Sequence, residues 1–275
     1  VEGDVAQDAK SVVTQLPARL REHRLTLVAA GVAFYAFLAF VPTLIAVVSV
    51  YGLVADESDV QRQVENVASA LPEEVRNFIE FQLTSIVNSN RAGVSLTFVV
   101  ALAVALWSAS GGLAALVSGL HVVHDVEEPK GFVAKRGKAL LLTLGAVFVL
   151  GAVIWLLAFL PALVDKWIGD TGSLVFGILR WPVLAVVMVI ALGVLYRLAV
   201  PASGARTRLV SPGAVAGTAL WLLVSVLFSF YTANFASYSK TYGALATIVV
   251  MLLWLYLSAL AVLLGAEVDA IRRTT

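Results

Sequence analysis

No cysteine occurs anywhere in the chain, which removes disulfides, thiolate metal sites and cysteine nucleophiles together. Charge is scarce as well. Asp, Glu, Lys and Arg make up 13% of the residues and hydrophobic types 60%, against about 25% and 45–50% in soluble domains. The scarcity is concentrated in long runs. Between Arg208 and Glu267 one charged residue, Lys240, stands in fifty-eight positions. Each side of it is long enough to cross a bilayer, since about 20 apolar residues suffice. A single polar break, Tyr238 to Gly243, thus turns one apolar run into a membrane hairpin.

The same pattern recurs along the chain and predicts an all-α polytopic membrane protein. Six spans are expected: Leu27–Val54, Gly93–Leu120, Ala139–Val164, Ile178–Arg197, Val210–Ser237 and Thr241–Ala266. The uncharged core of the fourth, Trp181–Tyr196, is short, so its helix is expected to start before Arg180 and let that arginine reach outward. The first twenty-six residues are polar and hold no short apolar core with a small-residue cleavage site, so no cleavable signal peptide is expected in them.

Lys and Arg orient the spans. With both termini inside, thirteen of these residues fall on the cytoplasmic side and six outside. The inner set includes Arg19, Arg21, Arg24, Lys130, Lys135, Arg136, Lys138, Arg206, Arg272 and Arg273, and every inner segment agrees with the positive-inside bias.

Two segments are polar enough to lie at the membrane surface. Residues 1–26 place Val5, Ala9, Val12, Leu16 and Leu20 at helical spacing. That makes an amphipathic helix, which either meets anionic inner-leaflet lipid through Arg19, Arg21 and Arg24 or packs on the inner ends of the bundle. Ala55–Ala92 is the only long loop and is expected outside, as two short helices. Ser58 to Gln61 reads as a capping box, and Pro72 opens the second helix with Glu73 and Glu74 in its first turn.

Several phrases resemble the YihY/BrkB family of bacterial inner-membrane proteins. Gly31 to Pro42 is similar to its opening segment, and Leu106-Trp-Ser-Ala-Ser-Gly-Gly112 to its second. The fullest likeness runs from Ser211-Pro-Gly-Ala through Trp221, Tyr231, Tyr238-Ser-Lys-Thr-Tyr-Gly243 and Trp254-Leu-Tyr256 to Gly265-Ala-Glu267. The resemblance implies six spans in the bacterial cytoplasmic (inner) membrane. It implies no settled activity, since members carry ribonuclease, virulence-factor and transporter labels.

Enzyme chemistry finds little footing in the residues. A nuclease needs metal-binding carboxylates or acid–base pairs within reach of RNA, and the inner-side acids are few. Neither catalytic residues nor a nucleic-acid partner is expected, and no cofactor. His121-Val-Val-His124-Asp125 has ligand spacing, but a juxtamembrane turn explains it as well, and no metal site is expected. Gly131 to Ala139 is no phosphate loop, because its glycine spacing is one too long and Ala139 stands where a hydroxyl should hold magnesium. The spans hold no ionisable residue at mid-depth, which argues against a deep carboxylate proton relay.

What the spans do hold is small, hydroxyl and aromatic residues. Trp107, Ser108, Ser110, Gly111 and Gly112 interrupt the second span near its middle, marking either a helix break or close packing through small residues. Gly213 and Gly217 form a GxxxG pair that points to close packing. Pro42 removes a backbone hydrogen bond inside the first span, one or two turns after Tyr35. At the outer end of the last hairpin, Asn234, Lys240 and Tyr242 belong to a polar-aromatic cluster. That cluster is either an interfacial belt with a snorkelling lysine or a seat for a phosphate or carboxylate headgroup.

Two functions follow as expectations. A transporter or lipid flippase would move an amphipathic or anionic solute through a cavity lined by Tyr35, Pro42, Trp107, Ser108, Ser110, Asn234, Lys240 and Tyr242, with membrane lipids as partners. A non-transporting scaffold or envelope-integrity protein would have a sealed core and capture partners through Ala55–Ala92 or the basic inner face. A homo-oligomer is left open, because helix faces that pack within a subunit read like faces that pack between subunits.

Overall fold

The computed structural model describes residues 2–52, 96–127, 131, 133, 135–149, 151, 171–199 and 209–274. Within these it describes the backbone alone at 2–10, 41, 43–52, 96–98, 101, 171–181, 232–247 and 274. The expected helical segment Ala55–Ala92 and most of the third span lie outside the described residues. All regular structure among the described residues is α-helical. Helix α1 covers Glu2–Glu22, α2 Leu25–Gly52, α3 Leu96–Val123, α4 residues 135–149, α5 Thr171–Ala199 and α6 Pro212–Thr274. Uncharged runs must be helical in hydrocarbon, where each backbone N–H and C=O has to find its partner within the segment.

Among the described residues, four stretches are long and apolar enough to cross a membrane: Leu102–Val123, Pro182–Ala199, Pro212–Tyr231 and Ile248–Arg273. A fifth is counted if Ser11–Glu22 and Leu25–Phe40, bent by 66° at their junction, form one broken span. That bend sits at Arg24, whose φ of 47° ends α1 in the left-handed region and redirects the chain.

Helix α6 is assigned over 63 residues, which drawn straight would measure about 95 Å, some three times the hydrocarbon thickness. It does not run straight. The Ser211 hydroxyl meets Asp269, the Trp221 indole N–H donates to Ser258 Oγ at 3.2 Å, and the Trp221 and Trp254 rings stack edge to face at 6.4 Å. These pairs set an antiparallel register, so the chain reverses between Trp221 and Trp254.

Glycines set the closest approaches. A Cβ on Gly265 would meet the Gly213 carbonyl oxygen at 2.6 Å and Gly217 Cα at 2.7 Å, so the GxxxG pair is indeed a packing face. Between α2 and α3, a Cβ on Gly112 would meet Ala36 Cα at 3.1 Å, and one on Gly119 would meet Val28 Cγ1 at 3.0 Å. Helix α3 runs unbroken from Leu96 to Val123. Of the two readings of Gly111-Gly112, the helix break is not observed, and close packing is observed at Gly112 alone, since Gly111 faces open space. Helix α2 likewise continues through Pro42.

The core lies at one end of the bundle. Leu25, Ala29 and Val32 of α2 meet Leu120 and Val123 of α3, Leu192 and Tyr196 of α5, and Leu263 and Ala266 of α6. Helix α1 packs against this end through Leu20, which favours its docking on the bundle over lying free on lipid.

Candidate functional site

At the packed end several titratable groups of the described residues come together. Helix α3 closes in a turn where Asp125 N–H donates to Val122 O at 3.2 Å and Val126 N–H to His121 O at 3.0 Å. This is the paired bonding of a Schellman stop. Glycine usually fills its left-handed position, and here Asp125 does so with φ 52°, a conformation Asp tolerates better than most residues. The turn aims a carboxylate at α1. Asp125 Oδ2 lies 3.3 Å from the Arg19 guanidinium and Oδ1 3.3 Å from His23 Nε2.

His23 carries the contact inward. Its Nδ1 donates to Glu267 Oε1 at 2.5 Å. Glu267 is 0% exposed, and its second oxygen has no partner among the described residues. The chain Arg19–Asp125–His23–Glu267 thus runs from an exposed carboxylate to a buried one, across α1, α3 and α6.

A second polar knot closes the last hairpin. Asp269 accepts from the Ser211 hydroxyl at 2.5 Å and from Gly213 N–H at 2.6 Å. Ser211 Oγ in turn accepts from Ala214 N–H at 3.0 Å, as an N-cap serine should. Beside it the Tyr196 hydroxyl donates to Val262 O at 2.6 Å. The last carbonyl of α5, on Ala199, accepts from His121 Nε2 and from Lys138 Nζ, each at 2.8 Å. Burial lowers the Lys138 ammonium below its usual value. Burial also lowers His124, whose Nδ1 donates to the Leu120 carbonyl.

Between α2 and α3 a lateral groove of about 660 Å³ opens from this end. Glu22, His23, Arg24 and Asp125 form its polar end, and Val28, Val32, Tyr35 and Val122 line its length. Tyr35 stands ten residues past the start of α2, roughly 15 Å along the helix and half the hydrocarbon depth. The groove is therefore polar at the surface and apolar toward the middle.

The residues singled out from sequence distribute unevenly. Tyr35 lines the groove and is half exposed. Pro42 lies further up α2, and the Ala36–Gly112 register continues to bring it level with Trp107. Trp107 and Ser108 are exposed on α3, while Ser110 is fully buried and donates to the Trp107 carbonyl at 2.6 Å. Asn234, Lys240 and Tyr242 fall on α6 where side chains lie outside the described residues.

One charge reaches a span from outside it. The middle of α3 does face a charge, because Arg136 Nη2 donates to the Trp107 carbonyl at 2.5 Å and its Cζ lies 4.5 Å over the Trp107 ring. Arg136 sits in a basic run outside the expected spans, and only its side-chain reach brings it there. Sequence reasoning also misses His23, and it weighs Asp125 only as part of a metal-ligand spacing with His121 and His124, although both flank the ends of expected spans. Among the described residues, no group of three or more His, Asp or Glu is placed to hold a metal ion.

The chain has clear relatives. The family described as virulence factor BrkB matches residues 16–275. A ribonuclease-like protein of Bacillus subtilis (strain 168), YfkH, is 34% identical over 95% of this chain and 94% of its own length. A UPF0761 membrane protein of Idiomarina loihiensis is 30% identical over 72% of this chain and 68% of its own. Another, from Photobacterium profundum, is 27% identical over 94% and 79%. No solved structure matches. The chain is a multi-pass membrane protein and belongs to the virulence factor BrkB (YihY/UPF0761) family.

Proposed function

We infer that the chain is a transporter or lipid flippase of the bacterial cytoplasmic membrane, moving an amphipathic or anionic solute, with six spans and both termini on the cytoplasmic side. The observation that carries this reading is the α2–α3 groove. Its polar end at His23, Arg24 and Asp125 suits a headgroup, and its wall of Val28, Val32 and Tyr35 suits an apolar tail. A lateral opening lets an amphiphile enter from the bilayer without crossing water.

The scaffold alternative requires a sealed core, and the groove counts against it. Nuclease chemistry, suggested by the name of the Bacillus relative, would call on the inner-side acids. Glu267 and Asp269 are buried and committed to His23 and to the Ser211 cap.

Gly31 offers the test. It lines the groove, and a Cβ there would meet nothing within 4 Å, so Gly31→Phe should fill the groove without disturbing the fold. In vesicles of phosphatidylethanolamine and phosphatidylglycerol carrying a fluorescent lipid analogue, wild-type protein should speed loss of leaflet asymmetry and Gly31→Phe should slow it. Equal rates for protein-free and wild-type vesicles, or for the two proteins, would sink the reading.

A further inference from the structure

Arg136 is the one charged side chain among the described residues whose head group lies against the middle of a span. Trp107 is the twelfth of the 28 residues of α3, so its carbonyl stands about 17 Å from one end of the helix and 24 Å from the other. The Arg136 guanidinium donates to that carbonyl and lies over the indole. Its neighbours Lys135 and Lys138 border a small cavity with Ala114, Val117 and Ser118, about two to three turns closer to the packed end. The arginine therefore reaches toward the bilayer centre. A snorkelling arginine would reach the other way.

No carboxylate among the described residues pairs with it. Asp125 and Glu267 are taken by Arg19 and His23 at the packed end. Guanidinium presents five N–H donors. One is used on the Trp107 carbonyl, which also accepts from Ser110, and Nε is buried without a partner among the described residues. An intramembrane charge of this kind is costly unless something pairs with it. The indole face offsets part of that cost, and the remainder calls for an oxyanion.

We propose that Arg136, stacked over Trp107, is a mid-membrane binding site for the phosphodiester headgroup of an anionic amphiphile. The planar fork suits two phosphate oxygens at once. Ser108, exposed one residue beyond Trp107, adds a hydroxyl on the same stretch of α3. The assignment deepens the transporter reading and rests on it, because passage is what brings a headgroup to this depth.

The test is equilibrium binding to the full chain in detergent, read by native mass spectrometry and by the shift in unfolding temperature. The probes are dioctanoyl phosphatidylglycerol, dioctanoyl phosphatidylcholine and inorganic phosphate. Wild type should prefer phosphatidylglycerol to phosphatidylcholine by about tenfold, the worth of one charge-assisted contact. Arg136→Gln should abolish the preference, and Arg136→Lys should keep only part of it. Should Arg136→Gln not fold, Arg136→Lys and Trp107→Phe decide the question instead, each being expected to weaken the preference. Equal retention of the two lipids by wild type, or an undiminished preference in every variant, overturns the site. Inorganic phosphate competing at the same concentration as phosphatidylglycerol overturns the lipid assignment. Lipid translocation that persists while the headgroup preference is absent defeats this site alone. An Arg136-dependent preference without any translocation defeats the transporter reading and leaves the site standing.

Discussion

Asp269 caps a helix that begins fifty-seven residues before it: its two carboxylate oxygens take the Ser211 hydroxyl and the Gly213 N–H. Both bonds are buried. Asp269→Ala should leave that hydroxyl and that N–H without partners, and unfolding in detergent should show a loss of about 2–4 kcal/mol. Ser211→Ala removes only the cap and should cost about 1 kcal/mol. Equal losses would show that the two ends of the hairpin are not joined by Asp269.

Glycines at three positions should respond in opposite ways. Gly265→Ala pushes a methyl into the Gly213 carbonyl, Gly217 Cα and the Tyr196 hydroxyl, all within 2.8 Å, two of them backbone. A marked drop in melting temperature is expected, with Gly213→Ala behaving alike. Gly111 faces open space, so Gly111→Ala should leave stability unchanged or raise it by about 0.5–1 kcal/mol.

His23 and Arg19 touch the same carboxylate but differ in burial. The Asp125 side chain is 68% exposed, so Arg19→Ala should cost no more than about 1 kcal/mol. His23→Ala leaves the buried Glu267 without its hydrogen-bond partner and should cost more, about 1–3 kcal/mol. Adding Glu267→Leu to His23→Ala should recover part of the loss, and urea or thermal unfolding of the three variants checks the order.

Acid sensitivity should trace in part to His124. Burial holds its imidazole below the ordinary 6.5, against the opposing pull of its bond to the Leu120 carbonyl. The unfolded chain therefore gains a proton near pH 6.5 that the folded chain accepts only lower. The stability it contributes is fully present above that value and is lost as pH falls toward the folded one. His124→Gln should lose less melting temperature than wild type between about pH 7.5 and pH 5. A parallel decline in both would assign the acid sensitivity elsewhere.

The bilayer class and the packing role of Gly213 and Gly217 were legible because they depend on local composition and spacing. Tyr35 was legible as a lining residue because a tyrosine two turns before a proline, in an otherwise apolar helix, suggests a face that tolerates polar groups. Arg136 was not. Its position in a basic run says where its Cα lies, whereas its chemistry depends on a long side chain folding back along α3. The pairing of Asp125 with Arg19 and His23 was hidden for a similar reason, since a left-handed stop is expected at glycine. The Glu267–His23 pair joins residues 244 apart, a distance no spacing rule covers.

That last separation bears on the order of assembly. His23 is made 244 residues before Glu267, so α1 can meet Asp125 of the α3 turn before its buried partner on α6 exists. In that interval the Arg19–Asp125–His23 contacts hold the mouth of the α2–α3 groove without the brace from α6. Bracing of the packed end by Glu267 is therefore a later step than the pairing of α1 with the α3 turn.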